Sequence, residues 1–103
     1  MKVTLLFFDG CPNWQVTNAH LESMAVEFGF DFDRRHVVRG EDAQRLKFHG
    51  SPTVLIDGRD VFTNGDEPLG LSCRTYQTDH GLAGAPSAEQ LHEALTAAST
   101  NHP

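Results

Sequence analysis

The chain opens on a run in which nearly every side chain is apolar, residues 2–8 reading Lys-Val-Thr-Leu-Leu-Phe-Phe. A strand covered on both faces reads this way, without the strict alternation of a half-exposed one. Asp9-Gly10 breaks the run, and Cys11-Pro12-Asn13-Trp14 follows at once. From Trp14 the period changes: Trp14, Leu21, Met24, Ala25 and Phe28 share one side of a helix, with Gln15, Asn18 and Glu22 away from it. Gly29 suits its C-cap. Pro12 suits a first turn, where its missing N–H costs nothing. Residues 30–38 alternate imperfectly and predict a second strand. Residues 40–48 predict a short helix with Glu41 and Asp42 in its first turn, where the macrodipole favours acidic groups. His49-Gly50 ends that helix, and Ser51-Pro52 leads into an apolar strand over 53–56. Asp57-Gly58 is a hairpin-turn dipeptide and predicts a returning strand over 59–62.

Residues 63–86 carry Gly65, Gly70, Gly81, Gly84, Pro68 and Pro86 and little apolar periodicity. A segment this long without clear structure is unusual in a compact domain and often functional. A short helix is expected within it, over 69–77. Ser87 and Gln90 have the spacing of a capping box, and Leu91, Ala94, Leu95 and Ala98 continue as an apolar stripe. The tail Thr100-Asn101-His102-Pro103 is expected to fray. The order is therefore β-α-β-α-β-β-α in one α/β domain spanning 1–103. Its first β-α-β requires a right-handed crossover and a parallel pair, and the expected architecture is a four-stranded mixed sheet flanked by helices.

Composition narrows the function. A chain of 103 residues with 39% hydrophobic side chains buries one core. Fourteen acidic against eight basic side chains give a net charge of −6, which argues against a nucleic-acid or anionic-membrane surface. The apolar runs fall short of the ~20 residues that cross a bilayer. The first residues lack the longer apolar core and small-residue cleavage site of a secretory signal. A cytoplasmic protein is expected. Two cysteines do not make a disulfide scaffold, which leaves them as candidate chemistry.

Cys11 falls where the first strand ends and the first helix begins. Free N–H groups and the positive end of the helix dipole favour thiolate there, and such sites bring a cysteine from about 8.5 to below about 7.5. The alternative is a small buried hydrophobe, which a position between Asp-Gly and Pro argues against. In the derived topology, the loop Gly50-Ser51-Pro52-Thr53 sits at the same end of the sheet.

The strand, Cys11-Pro12-Asn13-Trp14 opening a helix, and Ser51-Pro52-Thr53 before a hairpin strand together resemble the thioredoxin and glutaredoxin superfamily, over nearly the whole chain. The resemblance implies a thioredoxin-like fold, Cys11 as nucleophile, and a cis Pro52 lying against it. It also implies that the backbone of Ser51 pairs with a peptide or glutathione substrate. The place of the family's second, resolving cysteine is taken by Trp14, so the usual dithiol route is closed. Trp14 is expected beside the thiol or under the adjacent loop, or as an aromatic wall of the substrate groove. With Leu71-Ser72-Cys73-Arg74-Thr75-Tyr76, the pattern resembles a group of small bacterial thioredoxin-like proteins, some of them described as related to alkylmercury lyase.

Cys73 leaves two readings open: an apolar filler in a short helix, or a distant resolving thiol or soft ligand. As the chain's other thiol it is expected on the Cys11 side, a disulfide requiring a Cα separation below about 7 Å. Arg74 reads as a surface arginine, or as a group that activates Cys73 or holds a glutathione carboxylate. Tyr76 reads as packing or as a hydrogen-bonding neighbour of the site, and Asp9 as a modulator of Cys11. The six histidines show no metal-ligand spacing, and a zinc site from Cys11, Cys73 and His80 has little support. No nucleotide-binding glycine fingerprint is present, and no cofactor is expected. Three functions are thus in play. The first is a thiol–disulfide oxidoreductase acting on a low-molecular-weight thiol or a protein disulfide, with Cys11 as nucleophile, its adduct resolved by a glutathione-like thiol or by Cys73, and Pro12, Trp14, Ser51, Pro52, Thr53 and Arg74 around the substrate. The second is a soft-metal or organomercurial-binding protein using both thiols. The third is a redox-inactive module binding peptide at Ser51-Pro52.

Overall fold

Strand β1 (Lys2–Phe7) is the spine of the molecule, pairing in parallel with β2 (Asp31–His36) and antiparallel with β3 (Thr53–Ile56). The computed structural model describes residues 1–63, 65 and 67–100. β3 turns through Asp57-Gly58 into β4 (Arg59–Asp60), giving a four-stranded mixed sheet in the order β2-β1-β3-β4. Both turn residues have positive φ, 51° and 84°, as the twist of a two-residue hairpin demands. The apolar run of β1 is buried from Val3 to Leu6, as a strand covered on both faces requires.

Two cores result from the strand alternation. On one face Val3, Leu5, Val54 and Ile56 pack with Leu21 and Met24 of α1 (Trp14–Phe28) and with Leu91 and Leu95 of α3 (Ala88–Thr100). On the other, Leu6 packs with Val37, Phe48 and Ala43 of α2 (Gly40–Leu46). α1 ends at Gly29 in the left-handed conformation, its N–H donating to the Ala25 carbonyl. α3 begins with the expected capping box: Gln90 N–H donates to Ser87 Oγ at 3.0 Å, and Ser87 N–H to Gln90 Oε1 at 2.9 Å.

The segment 67–86 departs from expectation. In place of a helix over 69–77 it forms an extended strap that joins a hairpin of β5 (Tyr76–Thr78) and β6 (Gly81–Ala83). Its conformation is set by partners distant in sequence: Ser51 bridges Cys73 in parallel, and Gly70 N–H donates to the Phe48 carbonyl at 3.1 Å. The element order accordingly contains two strands that apolar periodicity did not show. The returning strand expected over 59–62 shortens to two residues, and β2 is trimmed at both ends. Of the tail expected to fray, residues 101–103 lie outside the described residues. Among the described residues, no helix is long and apolar enough to cross a membrane.

Candidate functional site

Cys11 and Cys73 are joined by a disulfide across 62 residues, their Cα atoms 5.5 Å apart. Cys11 reaches this point because β1 ends at Phe7 and the chain turns before α1, with Cys11 N–H donating to the Phe8 carbonyl at 3.4 Å. Asn13 Nδ2 lies 3.6 Å from Cys11 Sγ and donates to it. Cys73 reaches it on the strap. Ser51 N–H donates to the Ser72 carbonyl at 2.8 Å, and Arg74 N–H donates to the Ser51 carbonyl at 3.1 Å. The two bonds bracket Cys73. The Ser51–Pro52 peptide bond is cis, and the Ser51 hydroxyl accepts from Phe8 N–H at 3.4 Å.

The strap lies this close because residue 50 is a glycine. Its φ is +106°, and a Cβ there would sit 3.0 Å from Arg74 Cβ and 3.1 Å from the Ser72 carbonyl oxygen. Arg74 then anchors the strap from within. It is 3% exposed and grips Asp60 with both terminal nitrogens, at 2.7 and 3.3 Å. Its Nη1 also reaches Thr53 Oγ1 at 3.3 Å, and its Nη2 lies 3.7 Å from Glu67. Burial alone would lower the guanidinium's pKa; the hydrogen bond to Asp60 and the surrounding negative field carry it above its ordinary value. Tyr76, under the guanidinium at 4.7 Å, donates its hydroxyl to the Pro52 carbonyl. Burial pushes that hydroxyl's pKa up, against an opposing pull from Arg74, so it stays a neutral donor.

Several expectations are corrected by this geometry. Cys11, read as a reactive thiol rather than a buried hydrophobe, is 1% exposed, whereas Cys73, left open between an apolar filler and a resolving thiol or soft ligand, is exposed. Arg74 is neither a surface residue nor free to hold a substrate carboxylate, because Asp60 occupies it. Ser51, Pro52 and Thr53 are fully buried and do not line an open groove. Trp14 stacks on Phe7 at 4.2 Å, with His36 on Phe7 at 5.0 Å, while Asp9 pairs with His36 at 3.1 Å. Pro12 is exposed at the rim. His80 is exposed on the β5–β6 turn, and no group of three or more metal-ligating side chains is assembled among the described residues. Asn13, Asp60 and Glu67 were not singled out from the sequence. Asn13, two residues from Cys11, was the legible one.

A disulfide with one covered and one exposed half, held on a tethered strap, is able to exchange with thiols. No family model, curated protein or solved structure matches the chain.

Proposed function

We propose that this protein is a thiol–disulfide oxidoreductase of the thioredoxin-like class whose redox couple is Cys11 and Cys73. The observation that carries the reading is the cystine itself, formed between Cys11 in the turn that leads into α1 and a strap held at Ser51-Pro52. Two further features support it. The first turn of a helix leaves N–H groups without intrahelical partners, which stabilise a thiolate at Cys11 once the bond opens. The strap's other bonds, to Ser51, Phe48 and Asp60, do not depend on the cystine, so the two thiols stay together in the reduced protein. Cys73 thereby supplies the resolving thiol that the Trp14 position lacks. The reading places the protein in the cytoplasm, where a disulfide is a catalytic or sensing one, and makes its partner a low-molecular-weight thiol or disulfide.

The peptide-binding reading is disfavoured because both main-chain groups of Ser51 are already taken by residues 72 and 74. The soft-metal reading shares the two thiols and is separated by experiment. The reduced protein should catalyse reduction of a small disulfide by glutathione, and Cys11→Ser and Cys73→Ser should each lower turnover at least tenfold. Stoichiometric uptake of mercuric ion requiring both thiols, without disulfide turnover, would select the metal-binding function instead.

A further inference from the structure

The couple is asymmetric, and the asymmetry divides the work between its sulfurs. In thiol–disulfide exchange a thiolate attacks one sulfur in line while the other leaves; access decides which is attacked, and thiolate stability decides which leaves faster. Here both considerations point the same way. Cys73 is exposed on the strap between exposed Leu71 and Ser72 and exposed Thr75, whereas Cys11 is 1% exposed. The covered sulfur is also the one that the amide of Asn13, the N-cap of α1, faces at 3.6 Å. Gly84 leaves the room for that amide, since a Cβ there would collide with the Asn13 side chain.

We infer that Cys73 is the sulfur that exchanges with substrate and Cys11 the internal thiol that resolves the adduct, the reverse of the roles expected from the sequence. The assignment rests on the proposed redox function and specifies how it works. A substrate thiolate attacks Cys73 Sγ, forming a mixed disulfide and breaking the bond to Cys11, which departs as a thiolate and takes up the proton the substrate lost. A second substrate thiolate attacks the substrate sulfur of the adduct, forming the substrate disulfide and releasing Cys73, which takes up the second proton. Two thiols become one disulfide, and the protein cystine gains two electrons and two protons. In the opposite direction Cys73 opens a substrate disulfide and Cys11 closes the ring. Through both, the bonds from Ser51 to residues 72 and 74 hold the adduct-bearing residue against Cys11. With Ser51 so occupied, no main-chain partner is left there for an extended peptide, and the substrate is a low-molecular-weight thiol such as glutathione.

The test compares reduced Cys11→Ser and Cys73→Ser proteins reacting with oxidised glutathione, followed by intact mass, in buffer and again in denaturing urea. In the folded state Cys11→Ser should form its glutathione adduct at least tenfold faster than Cys73→Ser, and in urea the two rates should converge. Equal rates in the folded state, or a faster Cys73→Ser, would overturn the assignment. Exchange in the wild-type protein is read separately, by treating its oxidised form with reduced glutathione, quenching in acid and alkylating. Adduct on Cys73 with alkylated Cys11 is the expected product. Adduct on Cys11 defeats the assignment but keeps the redox couple, whereas no exchange in the folded protein defeats both.

Discussion

Arg74 is the residue on which the site's geometry turns. Its guanidinium is buried against Asp60, whose side chain is only 9% exposed, so neither charge is compensated by water. Removing one partner of such a pair leaves the other buried and alone, a loss of about 3–5 kcal/mol. Arg74→Ala should lose that much in urea unfolding, and Arg74→Met combined with Asp60→Leu should lose far less. Little of this was readable from the chain: Asp60 lies fourteen residues from Arg74, on β4 rather than on the strap, and a lone arginine beside a cysteine looks like a surface group. Tyr76 adds a pH signature. Its hydroxyl pKa is raised by burial, so its contribution to stability is complete below the ordinary tyrosine value of about 10 and is lost as the pH rises beyond it. Tyr76→Phe should therefore flatten the alkaline fall in urea midpoint above pH 10, relative to wild type.

At the scale of elements, local chemistry was legible and tethered structure was not. The Ser87–Gln90 box, the Gly29 cap and the Asp57-Gly58 turn each depend on residues within a few positions, and all three formed as read. Ser87→Ala should cost about 1 kcal/mol, measured by thermal or urea unfolding. The strap was missed because its shape is decided by Ser51 and Phe48, some twenty residues away in sequence; the β5–β6 hairpin pairs locally but over three residues a side, too short for an apolar alternation to mark it. Glycines separate the two situations. Gly50 and Gly58 both have positive φ, but only at Gly50 does the strap lie where a Cβ would project. Gly58→Ala should destabilise by about 1–2 kcal/mol, and Gly50→Ala by more, because its Cβ also meets the strap. Only Gly50→Ala should also slow closure of the Cys11–Cys73 bond on reoxidation, read as the rate of loss of two free thiols.

Over the whole molecule, the cystine ties the N-terminal β-α unit to the strap. The strand–helix junction marked Cys11 as chemistry from the sequence, but proximity to Cys73 arises only when β1 and β3 pair and carry Ser51 to the end of β1. Closing a loop of 62 residues restricts the unfolded chain by about 4 kcal/mol at 25 °C. That is a large part of the ~5–15 kcal/mol that holds a small domain folded. The central claim is that this bond opens and closes within the folded protein. The direct measurement is a redox titration in glutathione buffers, with free thiols counted by mass and the fold followed by circular dichroism. The account predicts one reversible two-electron transition within about −180 to −320 mV, the range of cellular thiol pools, with the native spectrum kept throughout. A cystine that gives up its electrons only as the spectrum collapses would be a structural staple and would contradict it.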